Sequence, residues 1–262
     1  YWRNTSGTIR QITFSDTDKE SSTWLAVRQD SVVTIFLPIL SEKSYHPTSV
    51  NIFREFLAPS HLNVNPVASI SIGNSVSLSH SDLSFNPWLP RQFATIDSSG
   101  CWTIYNIEQS CQGPSYEEIS KKSAGSIFDG HDFMHPLRST SSSLADEWYR
   151  IMWISNVNTI VVCNRFHLAI FHLSPKPTRL KSPVIISNDS TDWILDIVRF
   201  PSNNTQFFVL TTSRIYWIQV ISSFEQSENE EDPLGGSVIL SYRHFRSPYD
   251  ESLKLVPVMG GK

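Results

Sequence analysis

Apolar residues along most of the chain either alternate with polar ones or form short uninterrupted runs, and Ser, Asn, Asp, Gly and Pro separate these runs. Such a pattern is typical of β-strands joined by turns. A helical period fits one stretch, Ser143–Arg150, where Leu144, Trp148 and Tyr149 could share one turn of helix. The chain is therefore expected to be all-β.

The predicted strands recur as four units with a common order. Each unit has a strand ending near an aromatic residue, a polar link, an apolar strand, a tight turn and an alternating strand. In the first three units the second strand starts at the same distance before the closing aromatic, as in Trp24 to Phe36, Phe93 to Tyr105 and Thr159 to Phe171. Internal repetition of this kind indicates a repeat architecture.

Three antiparallel strands followed by a more variable outer strand are the plan of a propeller blade. We predict a WD-like β-propeller region over residues 1–262, with at least four recognisable blades near residues 9–56, 83–107, 148–186 and 194–245. Polar inserts are expected at 41–81 and 108–146. Outer strands are predicted at Val50–Phe56, Val184–Ile186 and Ser237–Phe245.

The number of blades stays open at this point, because propellers have four to eight. One arrangement is an open arc, a fragment of a larger propeller. The other hides degenerate blades in the inserts, and its best candidate is Leu62–Ser77, with Val64, Val67, Ile70 and Ile72. We expect the incomplete arc, whose edge strands would promote aggregation when uncovered.

Charge and composition argue against several classes of protein. With a net charge of −4 over 262 residues, the chain lacks the basic balance of a dedicated nucleic-acid binder, so any DNA contact is expected to be mainly indirect. Three cysteines are too few for a disulfide framework or a four-thiolate zinc site. No apolar run approaches the length of a membrane span, and no membrane association is expected.

Catalytic chemistry is weakly represented. The segment Asp129–His135 holds two imidazoles and two carboxylates and could ligate a metal, but a solvated loop is the preferred interpretation. No nucleophile elbow or phosphate-binding Gly-rich loop occurs. A propeller hydrolase needs converging carboxylates, and only Asp30 and Asp97 lie at or beside matching turns. We predict no enzyme, no catalytic, cofactor or metal site, and no small-molecule substrate.

Two charged segments could contact a partner. The acidic run Glu225–Asp232 is an interaction segment or, as we prefer, a solvated loop. The segment Ser241–Arg246 interleaves basic and aromatic residues. Arg243 and Arg246 could bind phosphate or an acidic groove, or else they face water while Tyr242 and Phe245 pack on the blade.

Three stretches carry a resemblance to a known family. They are FNPWLPRQFATID at Phe85–Asp97 with Gly100 and Trp102–Glu108, FVLTTSRIYW at Phe208–Trp217, and ILSYRHFR at Ile239–Arg246 with Asp250, Ser252 and Leu253 behind it. As a set they resemble the largest subunit of the fungal RNA polymerase I core initiation factor, a relative of the animal TBP-associated selectivity-factor subunit. Tyr242 departs from that pattern, which has Trp there.

The resemblance implies a nuclear and nucleolar scaffold subunit that supports pre-initiation complex assembly at ribosomal DNA. Its implied partners are a TFIIB-like subunit, a helical-repeat subunit, TBP and RNA polymerase I. The alternative is a generic propeller adaptor of another intracellular complex. The candidate partner-binding residues are Trp88, Arg91, Tyr242, Arg243, Phe245 and Arg246.

Overall fold

The computed structural model describes residues 7–15, 23–45, 60–63, 66–71, 78–109, 117–128, 147–187, 191–221, 234–247, 249–250 and 252–258. Within these ranges the secondary structure consists of strands and turns, and no helix long and apolar enough to span a membrane occurs. The strands are β1 Gln11–Phe14, β2 Leu25–Arg28, β3 Val32–Phe36, β4 Ile39–Tyr45, β5 Ser60–Asn63, β6 Pro66–Ser71, β7 His80–Phe85, β8 Gln92–Asp97, β9 Cys101–Gln109, β10 Glu117–Ser126, β11 Tyr149–Trp153, β12 Thr159–Asn164, β13 Leu168–His172, β14 Thr178–Leu180, β15 Ile194–Arg199, β16 Gln206–Thr211, β17 Arg214–Ile221 and β18 Gly235–Arg243.

Sixteen of these strands form four antiparallel sheets of four strands each. Blade 1 has the order β1-β2-β3-β6, blade 2 β7-β8-β9-β10, blade 3 β11-β12-β13-β14 and blade 4 β15-β16-β17-β18. Strands β4 and β5 pair as a separate hairpin. The sheet order is that of propeller blades, and it confirms the predicted all-β propeller.

The second strands of blades 2 and 3 are buried on both faces, because a neighbouring blade covers each side. Strand β8 has five buried residues, and so does β12. Continuous apolar or small residues suit such a position, whereas an alternating strand would expose its polar face. The short apolar runs seen in the sequence thus mark the middle of each blade.

Three apolar clusters join successive blades. Trp24, Ile35 and Phe93 lie between blades 1 and 2, and Trp102, Trp153 and Phe171 lie between blades 2 and 3. The rings of Trp102 and Phe171 have centroids 5.2 Å apart. The third cluster, between blades 3 and 4, contains Ile170, Phe207 and Val209. The blades are therefore held side by side by large buried side chains.

The first strand of every blade lies innermost, where β1 contacts β7, β7 contacts β11 and β11 contacts β15. The described blades follow one another in an open arc instead of a closed ring. Exposed apolar side chains lie at both ends of this arc. On blade 1 they include Ile12 and Phe14, both 58% exposed, and on blade 4 Leu240 at 57%.

The three predicted outer strands have different outcomes. Val184–Ile186 is wrong, because the outer strand of blade 3 is β14 at Thr178–Leu180. Ile185 and Ile186 are buried in the cluster between blades 3 and 4, which explains their apolar pattern without a strand. On blade 4 the strand β18 overlaps the predicted Ser237–Phe245. The predicted Val50–Phe56 lies outside the described residues.

The hidden blade proposed for Leu62–Ser77 is also wrong where the structure describes it. Residues 66–71 form β6, the outer strand of blade 1, in which Val33 pairs with Ile70. Val64 and Ile72 lie outside the described residues. A similar outer strand, β10, lies in the second predicted insert. The expected helical turn at Ser143–Arg150 is replaced at its described end by β11, which starts at Tyr149.

Candidate partner-binding surface

The innermost strands place four polar residues at equivalent positions around the axis of the arc. Gln11, Asp82, Arg150 and Asp196 all line one cavity of about 230 Å³. Each belongs to the first strand of its own blade. A propeller commonly binds a ligand or places a catalytic group in such an axial cavity. The hydrogen-bond partners of these four side chains therefore show whether they are available for binding or catalysis.

Asp82 bridges blades 2 and 3. Its Oδ2 accepts the backbone N–H of Ile151 at 3.0 Å, and its Oδ1 lies 3.4 Å from Nη1 of Arg150. Burial raises the pKa of Asp82, while Arg150 opposes that shift. The carboxyl group therefore serves the joint between two blades.

Blades 1 and 2 are joined in the same way. Oε1 of Gln11 accepts the backbone N–H of Leu83 at 3.2 Å, and Nε2 of Gln11 donates to the Leu83 carbonyl at 2.9 Å. Arg28 donates from Nε to Oε1 of Gln11 at 3.0 Å and from Nη1 to the carbonyl of His80. These contacts tie the axial residues into the fold.

The two carboxylates considered for hydrolysis have structural partners as well. Asp30 forms an ion pair with Arg10 at 2.7 Å. Asp97 accepts the backbone N–H groups of Ser99 at 2.9 Å and Cys101 at 3.0 Å, which closes the β8–β9 turn. Across the described ranges no three His, Cys, Asp or Glu side chains are placed to hold a metal ion. The segment Asp129–His135 lies outside them.

Trp88 and Arg91 lie in the loop between β7 and β8. Trp88 is half-buried against the cluster between blades 2 and 3, and the guanidinium of Arg199 lies 5.6 Å from its ring centroid. Arg91 is exposed, its guanidinium lies 5.6 Å from the Trp24 ring, and its carbonyl accepts the Ile107 N–H at 2.7 Å. Both residues thus take part in contacts within and between blades.

The other four candidates lie together at the end of β18. Tyr242 is 63% exposed and Phe245 is 76% exposed, while Arg243 and Arg246 are also on the surface. The Arg243 guanidinium lies 5.4 Å from the Phe245 ring centroid. The aromatic rings therefore do not pack into the blade but present themselves to solvent beside the arginines.

His244 fixes the chain between these exposed residues. Its Nδ1 accepts the Arg246 backbone N–H at 3.1 Å, and its Nε2 lies 3.1 Å from the Thr211 carbonyl. A neutral ring protonated on Nε2 satisfies both contacts. Phe245 has φ 56°, in the left-handed region that bulky residues rarely adopt. This anchored bend turns the Phe245 ring outward.

Positive charge is concentrated beside the bend. Arg214 of β17 pairs directly with Arg243 of β18, and Nη1 of Arg214 donates to Oγ of Ser241 at 3.2 Å. Like charges on directly opposite residues are destabilising in a sheet. We define the blade-4 surface by Arg214, Leu240, Tyr242, Arg243, Phe245 and Arg246.

The two groups of candidates lie on opposite faces of the arc. The loop with Trp88 and Arg91 follows the end of an innermost strand, whereas Arg243 pairs with the start of β17, beside the beginning of β15.

The sequence analysis did not identify Arg214 or the axial residues Gln11, Asp82 and Asp196. Arg214 needs the β17–β18 register to be recognised. A polar residue directly before an apolar one in each first strand was the available signal for the others.

These observations define an open WD-like propeller. Its axial polar groups hold blades together, and the exposed rings and guanidinium groups of the blade-4 surface lie at the outer edge of blade 4. The whole chain, residues 1–262, matches the family model described as Rrn6, beta-propeller. It belongs to this family. No match was found among curated proteins.

Three solved structures match the chain at low sequence identity. The crystal structure of S. cerevisiae Core Factor is 13% identical, with a TM-score of 0.51 over 96% of this chain and 44% of that chain. Chaetomium thermophilum Raptor is 14% identical, with a TM-score of 0.49 over 89% of this chain and 17% of that one. The Cps50 (Swd1) propeller domain of Myceliophteria thermophila is 12% identical, with a TM-score of 0.48 over 88% and 59%. The chain thus spans less than half of the Core Factor chain that it resembles.

Proposed function

We propose that this chain is the propeller part of a non-catalytic scaffold subunit of the RNA polymerase I core promoter factor, supporting pre-initiation complex assembly at ribosomal DNA. The observation that carries the proposal is the match to the Rrn6 propeller family over residues 1–262. The fold resemblance to Core Factor, a complex of the kind proposed, is consistent with it.

The structure supports a binding role because aromatic rings and guanidinium groups lie exposed on the blade-4 surface. The axial carboxyl groups of Asp82 and Asp196 accept backbone N–H groups, whereas the blade-4 surface combines rings and guanidinium groups facing solvent. Aromatic residues and arginine are enriched where proteins bind each other. We propose Tyr242, Arg243, Phe245 and Arg246 as partner-binding residues, with Trp88 and Arg91 as a second contact on the opposite face.

The partners that we propose follow from the family: a TFIIB-like subunit, a helical-repeat subunit, TBP and RNA polymerase I. The location is then the nucleus, and within it the nucleolus. DNA contact is mainly indirect, because a net charge of −4 gives the chain no general attraction for phosphates. The arginines of the blade-4 surface instead suit an acidic surface on a partner subunit.

Affinity purification of the full-length protein from nuclear extract, with partners identified by mass spectrometry and promoter occupancy scored in parallel, tests this function. Recovery of the core-factor subunits and ribosomal promoter DNA is the expected result. Recovery of an unrelated complex would leave the propeller intact and overturn the function.

The same experiment with variants tests the surface. The Tyr242→Ala/Phe245→Ala and Arg243→Ala/Arg246→Ala pairs are each expected to reduce recovery of at least one core-factor subunit about tenfold or more, since such side chains commonly dominate interface energy. Val184→Ala and Lys176→Ala remove an exposed apolar side chain and an exposed charge away from both ends of the arc and should leave recovery unchanged. Equal recovery with all four variants would exclude the blade-4 surface as a partner site.

A further inference from the structure

Two arginines of blade 4 lie directly opposite each other at one end of the β17–β18 pair. Arg214 begins β17 and pairs with Arg243, which ends β18. Nη1 of Arg214 donates to Oγ of Ser241 at 3.2 Å, whereas the guanidinium of Arg243 lies 5.4 Å from the Phe245 ring centroid. The two side chains therefore extend in opposite directions along β18, as repulsion between like charges favours.

The register places this pair on the face of blade 4 that blade 3 covers further along the strands. Arg214 shares that face with Val220, because the strand period is two residues, and Val220 is buried in the cluster between blades 3 and 4. Arg243 lies on the same face as its direct partner. Tyr242 pairs with Ile215 and so lies on the other face, at the open end of the arc. The arginine pair is thus separate from the apolar end of the arc.

The backbone around both arginines is anchored. The His244 N–H, directly after Arg243, donates at 3.2 Å to the carbonyl of Ser213, directly before Arg214. Nε2 of His244 also lies 3.1 Å from the Thr211 carbonyl. Groups that are already positioned lose less freedom when they bind than groups on a flexible segment. The sheet therefore holds the pair ready for an anion without a backbone rearrangement.

The pair has unused capacity for an anion. Among the residues that the structure describes, no carboxylate forms an ion pair with Arg214 or Arg243. A guanidinium group carries five N–H donors in a planar fork that matches the two oxygen atoms of a carboxylate. One carboxylate between two guanidinium groups accepts from both and offsets their repulsion. The pair therefore suits a single carboxylate.

Acidic side chains beside the pair favour an acidic protein over a nucleic-acid backbone. Oδ2 of Asp192 accepts the hydroxyl of Ser213, the residue before Arg214, at 2.6 Å. Asp250 lies four residues after Arg246. A nucleic-acid strand carries a charge at every phosphate, so it would meet these carboxylates as well as the arginines. A single acidic side chain can bind the arginines without extending over the aspartates.

We propose that Arg214 and Arg243 form a clamp for one Asp or Glu side chain of a partner protein, in an acidic segment that also contacts the exposed Phe245 ring. This inference rests on the partner-binding role proposed for the blade-4 surface, and it specifies the chemistry of the partner. Arg246, three residues after Arg243, supplies a further positive charge for a second acidic residue of that segment.

Photo-crosslinking of the full-length protein in nuclear extract tests the clamp. Phe245 is replaced by the photoreactive aromatic residue p-benzoylphenylalanine, and the crosslinked segment is sequenced by mass spectrometry. We expect a protein segment with Asp or Glu close to the crosslink, and about tenfold lower yield with Arg214→Gln, because hydrogen bonds to a charged group are lost. Lys176→Gln removes an exposed charge elsewhere and should leave the yield unchanged. A crosslink only to nucleic acid, the absence of a protein crosslink, or full yield with Arg214→Gln would overturn the proposal.

A conservative change and a charge swap distinguish a clamp from a general positive charge. Arg214→Lys keeps the charge but loses the planar fork, and we expect it to lower the yield about threefold or more. Arg214→Glu should abolish the crosslink, and replacing the acidic residue of the partner by Arg should restore it. Full yield with Arg214→Lys, or no rescue by the swap, would overturn the clamp.

Thermal unfolding of the same variant distinguishes binding from folding. Because Arg214→Gln removes a like-charge pair, the unfolding midpoint should stay the same or rise by about 1–2 °C. A lower midpoint would identify Arg214 as a structural residue and overturn the proposal.

The identity of the crosslinked protein tests the proposed function separately. An acidic segment of an unrelated complex, crosslinked in a way that depends on Arg214, would keep the clamp and overturn that function. Recovery of core-factor subunits together with a crosslink that does not depend on Arg214 would keep the function and overturn the clamp.

Discussion

Asp82 is an axial side chain that joins two neighbouring blades. It lies where blades 2 and 3 meet, and it satisfies a backbone N–H that has turned away from its own sheet. A buried donor left without an acceptor costs stability. Its neighbour Arg150 supplies compensating charge at 3.4 Å. Both groups are needed for the joint, which is why an acidic residue is tolerated at a buried position.

The acceptor at position 82 matters more than its charge. Because burial raises the pKa of Asp82, the folded state keeps its proton at pH values where the unfolded chain has lost it, and stability falls as the pH rises through that raised pKa. Asp82→Asn keeps an acceptor without a charge and should be at least as stable as wild type above this pKa, where the wild-type carboxyl group is charged and buried. Asp82→Ala should lose about 1–3 kcal/mol. Urea unfolding at several pH values measures both, and an equal loss in the two variants would contradict the argument.

His80 makes stability depend on pH in the opposite direction. Burial, assisted by the charge of Arg28, lowers the pKa of His80 to about 4. The unfolded chain binds this proton near pH 6.5 whereas the folded chain does not, so stability is lost as the pH falls from about 6.5 toward 4. His80→Gln should flatten that part of the pH profile, and the same change at exposed His167 should not. Thermal unfolding midpoints measured across this pH range test the prediction. If His80→Gln left the pH dependence of the midpoint unchanged, His80 would not be its cause.

The residue-level site was only partly predictable. Interleaved rings and arginines drew attention to Tyr242–Arg246, and the structure leaves these side chains exposed. Trp88 and Arg91 were selected from the stretch Phe85–Asp97 that carries the family resemblance, yet they contact Arg199 and Trp24. Apolar or aromatic character does not reveal which surface a ring faces. That information depends on the packing of neighbouring blades.

At the scale of strands, burial decides what could be predicted. The second and third strands of each blade carry most of the apolar residues, because an adjacent blade covers at least one of their faces, and the sequence shows this pattern clearly. The outer strands β10 and β14 are polar and at most partly buried, so their sequences lack a strand pattern. Their position follows from pairing with the strand beside them. This is why Thr178–Leu180 was missed and the buried Ile185–Ile186 was chosen instead.

The start of β18 depends on a glycine that links blades 3 and 4. Gly235 has φ +144°, and a Cβ there would lie 2.2 Å from the Lys181 carbonyl oxygen. Gly235→Ala should therefore displace β18 from blade 3 and cost about 1–3 kcal/mol. Ser237→Ala, in an exposed part of the same strand, is the control. Chemical denaturation compares the two, and equal stability of both variants would show that the backbone at 235 adapts without strain.

At the scale of the molecule, an open arc leaves apolar side chains uncovered at both ends. Ile12 and Phe14 are each 58% exposed on blade 1, and Leu240 and Val256 are exposed at the other end. In a propeller such faces are normally covered by the next blade. A unit of residues 1–262 studied alone is therefore expected to self-associate at micromolar concentrations, through contacts that a complete protein or a complex would replace.

Sedimentation velocity measures this association. Replacing Ile12 and Phe14 by Ser should shift the unit toward monomer without changing its β-sheet content, because both side chains lie on the surface and contribute little to the buried core. A matched change at Val184, which is exposed but lies away from both ends, should leave association unaltered. Continued association of the Ile12/Phe14 variant would assign the contact to the blade-4 end. There the edge of β18 and residues 253–258 offer unpaired backbone groups, and pairing through backbone does not depend on those two side chains.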